Sequence, residues 1–318
     1  MRRSWLFSTA KAAVTLFLVG LLAYRVDLKP VAERLGRIDV VLVAAATMVM
    51  LSQLLLAGWR WSLVIRALGD ELRRRAVVRL TLIGQFFNQT LPSAIGGDAV
   101  RAWLATYEGL PLGKAINGVL IDRVIALLVL IMIIGVTLPL LADRVPDPAF
   151  YGAAAGIVAA TAAGLLVFFT VSDRATAVLA RWRVTAPLAR LVADLRCSLS
   201  DPVRTAPIVA LSVAVHLGVI SVGWLIACAL SIDVTLVDCI VLIPPVVLLT
   251  TLPISIAGWG VREGAMVVGF GFLGVAAPEA LAMSVVFGLV QVAAGLPGGA
   301  IWLFQRRPTA VPDGGDAR

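Results

Sequence analysis

Apolar residues run in long, nearly unbroken stretches along this chain, and arginines dominate the polar positions between them. Runs at about 5–24, 39–58, 116–141, 151–171, 207–230 and 280–304 approach or exceed the ~20 residues that an α-helix needs to span roughly 30 Å of hydrocarbon. The run at 5–24 opens with Arg2 and Arg3 but ends at Leu21-Leu22-Ala23-Tyr24-Arg25, with no small-residue cleavage pattern, which predicts an uncleaved first span. Four shorter apolar pieces stand apart: 80–92, then on to about 106, and later 238–252 and 264–275. A helix of ~13 residues reaches only ~20 Å, too short to cross.

Arginine placement orients these segments, because loops rich in Lys and Arg stay cytoplasmic. Residues 60–79 carry six arginines, 174–204 carry six more, and Arg306-Arg307 follow the last span. If all three are cytoplasmic, the spans at 116–141 and 151–171 run out and back around the loop at 142–150. The piece at 80–106 then enters from the cytoplasm and returns to it, as a re-entrant hairpin. In the second half, the pieces flanking 253–263 enter from outside and return outside. The loop at 25–38, placed outside by this scheme, still carries Arg25, Lys29, Arg34 and Arg37, against Asp27, Glu33 and the adjoining Asp39. Trp59-Arg60-Trp61, at the end of the second run, reads as an interfacial anchor.

The two hairpins share a motif. Thr90-Leu91-Pro92-Ser93-Ala94-Ile95-Gly96-Gly97-Asp98-Ala99-Val100-Arg101 recurs as Thr251-Leu252-Pro253-Ile254-Ser255-Ile256-Ala257-Gly258-Trp259-Gly260-Val261-Arg262, with seven of twelve positions identical at an offset of 161. Shifting 39–141 by that offset gives 200–302, so span, hairpin and span align in both halves. Opposite orientations make them inverted repeats, an architecture that places broken helices and substrate at mid-membrane. The predicted fold is therefore all-α and polytopic, a single transmembrane domain over 1–304. Repeats at about 39–141 and 200–302 are joined by an amphipathic cytoplasmic connector at about 172–206, and 305–318 form a disordered cytoplasmic tail.

Composition removes several classes. Hydrophobic residues make up 60% and charged residues 14% of the 318, which excludes a soluble globular domain. The net charge of +8 follows from cytoplasmic arginines facing anionic lipid, so nucleic acid is not a predicted partner. Cys197, Cys228 and Cys239 have no paired spacing and His216 is the one histidine, so neither a metal nor another cofactor is predicted. His216 is expected to be a satisfied packing residue.

Each motif breaks its helix for a stated reason. Pro92 and Pro253 lack a backbone donor and disfavour helix in the preceding leucine; Gly96, Gly97, Gly258 and Gly260 permit the turn. The returning helix is expected to begin near Asp98 or Trp259, where its free amides favour an anion. Arg101 and Arg262 would then sit in the first turn, opposing the dipole. Two partners make sense of them. One is internal, through Asp98 or Glu263; the other is an anionic ligand such as a phosphate, which accepts paired bonds from guanidinium. Intramembrane charge is costly and points to function. Asn88 either satisfies broken backbone or lines a cavity. Asp122-Arg123 is either a local ion pair or part of the cavity wall. Gln291, Gly295, Pro297, Gly298 and Gly299 suit close helix packing or a kink.

The motif residues Asn88, Leu91, Pro92, Gly96, Gly97, Asp98 and Arg101, their counterparts Leu252, Pro253, Ser255, Gly258, Gly260, Arg262 and Glu263, and the pair Asp122-Arg123 resemble the lysylphosphatidylglycerol synthase transmembrane-region family. The likeness covers about 5–304, and the family more often has Gly-Glu where Gly97-Asp98 stands. It implies a flippase-like transporter in a bacterial inner membrane, with both termini cytoplasmic. The cargo would be an anionic or aminoacylated phospholipid or an isoprenoid phosphate. Family members that transfer amino acids add a soluble C-terminal domain; about fourteen residues follow the last predicted span here, so no enzyme activity is expected. The head-group residues would be Arg101, Arg262, Asn88, Asp98, Glu263, Asp122 and Arg123. The rival expectations are an accessory subunit that presents lipid to a modifying partner enzyme, and an intramembrane enzyme acting on lipid-linked substrates.

Overall fold

A computed structural model describes residues 28–91, 96–145, 147–182, 184–252 and 255–305. The run at 5–24, Pro92, Pro253 and the tail from 306 onward lie outside the described residues. Those residues form helices and connecting turns, with no strand among them. In chain order the helices are α1 (Leu28–Leu35), α2 (Val40–Ala67), α3 (Arg74–Thr90), α4 (Gly96–Thr106), α5 (Leu112–Arg144), α6 (Pro148–Leu179), α7 (Ala186–Ser200), α8 (Pro202–Ala229), α9 (Leu236–Thr250), α10 (Val261–Gly271) and α11 (Ala277–Phe304). Five of these, α2, α5, α6, α8 and α11, are long and apolar enough to cross a membrane. The protein is an all-α polytopic membrane protein.

Local chemistry starts the long helices where they start. Asp39 caps α2 by accepting from the amides of Val41 (2.8 Å) and Leu42 (3.2 Å). Asp147 and Asp201 do the same for α6 and α8, each with proline at the first helical position. Thr235 and Asp238 close a capping box on α9. The order long, short, short, long occurs twice, as α2 to α5 and as α8 to α11.

Packing follows this duplication. α2 lies against α8, and the two run antiparallel: the Asp39 amide donates to the Ala229 carbonyl (3.0 Å), while Arg60 near the other end of α2 reaches Ser212 (3.2 Å). α3 packs on α11 and α9 packs on α5, so each half lends its first short helix to the last long helix of the other. Gly298 and Gly299 let α11 press against the Leu82 backbone and the Phe86 ring, the close packing that their sequence suggested. Among the described residues α6 touches only α5 and α7 closely and is the least enclosed of the long helices, whereas α11 is the most enclosed.

Three expectations need adjustment. α2 continues past residue 58 to Ala67, so Arg60 and Trp61 belong to a helix rather than to a loop. Trp59 is exposed as an interfacial anchor should be, but Trp61 is fully buried, because residues two apart on a helix point about 200° apart. α3 has 17 residues rather than thirteen, about 25 Å of helix, still the shorter partner of its long neighbours. The connector contributes one separate helix, α7, whose Asp194 accepts from Asn117 of α5 (2.6 Å). Part of the basic segment that the sequence placed outside forms α1, where Arg34 pairs with Glu279 of α11 and donates to the Leu230 carbonyl (3.0 Å), so its charge is spent inside the fold.

Candidate functional site

The short helices form two antiparallel hairpins. In the first, Arg79 near the start of α3 pairs with Glu108 just beyond α4, and Asn88 near the tip accepts from the Gly97 amide at 3.0 Å. Asn88 therefore satisfies broken backbone, the first of its two expected roles. α4 begins at Gly96, two residues earlier than expected, so Arg101 falls in the second turn and not the first. Gly97 is demanded by close approach: a Cβ there would collide with the Gly84 carbonyl and stand 2.6 Å from Asn88 Oδ1. In the second hairpin, Gly258 and Gly260 take φ of +79° and +86°, which side chains rarely adopt. The Gly260 amide donates to Glu263, closing the start of α10, and Arg262 sits in its first turn as expected.

These tips bring together two charged clusters. The first gathers Asp98 and Arg101 of α4, Asp122 and Arg123 of α5 and Arg60 of α2, with Ser212 of α8 at its edge. Asp122 and Arg123 do not pair with each other. Asp122 Oδ1 accepts from Arg60 Nε at 2.7 Å, and Asp98 accepts two bonds from Arg123, at 2.6 and 3.0 Å. Arg101 is held less tightly: its Nη2 lies 3.4 Å from both Asp98 and Asp122. Its guanidinium stacks over Trp61, 4.7 Å from the ring centroid. The Nε of Arg101 and the Nε1 of Trp61 are buried with no hydrogen-bond partner among the described residues. Three guanidinium groups thus face two carboxylates, an excess of one positive charge in a setting where four of the five charged side chains are almost wholly enclosed.

The second cluster is self-contained. Arg262 Nε donates to Glu263 (3.2 Å) and Ser284 (3.1 Å), Nη1 to Gln291 (3.1 Å) and Nη2 to Glu263 (2.7 Å). Ser284 in turn donates to Glu263 at 3.0 Å, and Trp259 stacks on the guanidinium at 4.6 Å. One positive charge meets one negative charge. Ser255 of the motif is buried, and its hydroxyl has no partner among the described residues.

Opposite charges that satisfy one another offset the large cost of desolvation, so both clusters can exist in a membrane interior. An accessible edge exists at the first. Arg123 is 53% exposed, and it lies on the same face of α5 as the exposed Ile116, Leu120 and Leu127. The charge cluster therefore opens onto an apolar strip.

Every charged residue expected at the site is in one of the two clusters, and Asn88 is at the first tip. Sequence reading missed Arg60, Trp61, Ser212, Ser284 and Gln291. Arg60 and Trp61 were hidden by their likeness to an interfacial anchor; with tryptophans on both sides of Arg60, one of the two had to point inward. Gln291, expected to serve close packing, binds Arg262 instead, and its isolation as a polar residue within an apolar span was the available signal. The two serines carry none, since serine is common in membrane helices. His216 is the packing residue foreseen, its Nε2 at 2.9 Å from the Ala126 carbonyl.

The family described as Lysylphosphatidylglycerol synthase TM region matches residues 8–299. UPF0104 membrane protein MJ1595 of Methanocaldococcus jannaschii is 34% identical over 89 residues, 27% of this chain and 26% of that protein. The match thus spans about a quarter of that relative's length.

Proposed function

The chain belongs to the Lysylphosphatidylglycerol synthase TM region family, and on that basis we propose that it carries an anionic lipid between the leaflets of a bacterial inner membrane. The observation that carries this reading is the first cluster. Its excess positive charge suits an anionic head group, and its opening at Arg123 adjoins the apolar strip of Ile116, Leu120 and Leu127, which suits acyl or isoprenoid chains. An amphiphile with a phosphate satisfies both halves of that surface.

Alternating access is the mechanism in this reading. The two halves act as inverted repeats, with a re-entrant hairpin in each. Support comes from the antiparallel packing of α2 on α8: when equivalent helices pack antiparallel, the two-fold axis relating them lies across the helices, in the membrane plane. The reciprocal packing of α3 on α11 and α9 on α5 fits the same axis. In this reading both termini are cytoplasmic, which the arginine-rich segments at 60–79 and 174–204 and the pair Arg306-Arg307 support. The chain acts as a carrier rather than a catalyst, because Asp98, Asp122 and Glu263 are each committed to an arginine and none is placed as a free acid or base.

Reconstitution tests this. Purified protein in vesicles with an acyl-labelled phosphatidylglycerol should speed the exposure of inner-leaflet label to dithionite, and a labelled phosphatidylcholine should respond less. Exposure rates equal to those of protein-free vesicles for the anionic lipid would refute the reading.

A further inference from the structure

The two copies of the motif end in the same arginine, but their surroundings differ in kind. Each nitrogen of Arg262 has a partner: Nε has Glu263 and Ser284, Nη1 has Gln291, and Nη2 has Glu263 at 2.7 Å. Among the described residues Arg101 has two long polar contacts, both 3.4 Å and both from Nη2, and its Nε is a buried donor with no acceptor. Its two carboxylates are already claimed. Arg60 holds Asp122 at 2.7 Å, and Arg123 holds Asp98 at 2.6 and 3.0 Å. The ring on which Arg101 stacks, Trp61, contributes a second buried donor without an acceptor. Among the described residues, the buried unpartnered side-chain atom at the second motif is Ser255 Oγ, a neutral hydroxyl.

We propose that the duplicated motif has divided its labour: Arg101 is the residue that binds the phosphate of the cargo, and Arg262 is a closed lock that fixes the second hairpin to α11. This deepens the carrier reading and rests on it for the identity of the cargo as a lipid. Arg60 and Arg123 are positioning residues. By taking the near oxygens of Asp122 and Asp98, they prevent either carboxylate from neutralising Arg101, which leaves its guanidinium directed at an incoming anion. An unmade hydrogen bond from a buried guanidinium is costly, so an oxygen-rich ligand that supplies acceptors gains what the protein itself withholds. The duplication is also uneven in sequence. The position three residues before the arginine is Asp98 in one copy and Trp259 in the other, so the second copy supplies its aromatic ring locally and its acid at Glu263. That substitution makes the second site self-sufficient.

Binding of short-chain phosphatidylglycerol, of short-chain phosphatidylcholine and of inorganic phosphate to the detergent-purified full chain tests this. The dissociation constant of each is measured for the wild type and for Arg101→Gln, Arg101→Lys, Arg262→Gln and Gln291→Leu. Arg101→Gln should weaken phosphatidylglycerol binding at least tenfold, with partial recovery in Arg101→Lys. Arg262→Gln should leave affinity within about twofold and lower the thermal unfolding midpoint. Gln291→Leu, a milder removal of one lock contact, serves if Arg262→Gln does not fold, and it too should lower the midpoint without weakening binding. Equal losses of affinity at Arg101 and at Arg262 or Gln291 would overturn the division of labour, as would unchanged binding in Arg101→Gln. Inorganic phosphate binding as tightly as the lipid, through Arg101 alone, would keep the division and refute the lipid carrier. A wild type that binds none of the anions would refute both.

Discussion

Replacing Asp122 by Asn isolates what the first cluster costs and what holds it. Asp122 is 2% exposed and its partners Arg60 and Arg101 are 5% and 6% exposed, so none of the three regains water when the pairing is lost. Asn keeps the shape and removes the charge, leaving three guanidinium groups facing the single carboxylate of Asp98, a net charge of +2 in place of +1. Unit charges ~4 Å apart interact with about 4 kcal/mol at an effective dielectric constant of 20. Breaking a buried pair by removing one partner costs about 3–5 kcal/mol. Of the two contacts, the one to Arg60 at 2.7 Å should carry most of this, and the one to Arg101 at 3.4 Å the remainder. The double variant Arg60→Met/Asp122→Asn restores the net charge of +1 and removes a buried ion at the same time, so it should recover at least ~2 kcal/mol of the loss relative to Asp122→Asn alone. Equilibrium unfolding in mixed micelles with increasing dodecyl sulfate, followed by tryptophan fluorescence, gives the four corners of the cycle. Additivity of the two single variants within about 0.5 kcal/mol would refute the claim that Arg60 and Asp122 form a coupled buried pair.

Two further outcomes follow from the hairpins and the stacked rings. Gly97→Ala places a methyl group against the Gly84 carbonyl and Asn88, and in the same unfolding assay it should cost roughly 1–3 kcal/mol, where an alanine at the open Gly113 costs nothing comparable. Trp61→Ala should cost about 3–5 kcal/mol through lost burial and the lost cation–π contact with Arg101, whereas Trp59→Ala, at an exposed position, should change the unfolding midpoint little; equal effects would deny that Trp61 is part of the core.

Much of this protein was written locally. The position and approximate length of the five long apolar helices among the described residues follow from runs of Leu, Val, Ala and Ile, because a membrane demands continuous apolar length and internally satisfied backbone. The broken helices follow from Pro and Gly at fixed spacing, and the duplication from seven identities at one offset. Tertiary structure alone decided which charges meet. Arg60 reaches Asp122 across 62 residues and Ser212 across 152, separations at which no periodicity links them. Arg123 was adjacent to Asp122 in sequence yet pairs with Asp98, because neighbours on a helix point about 100° apart and cannot share one partner face. Tertiary structure also made the two equal arginines of the motif unequal. Sequence determined that each hairpin would carry a guanidinium into an apolar setting; the helices packed around each one determined whether its donors find acceptors among the described residues.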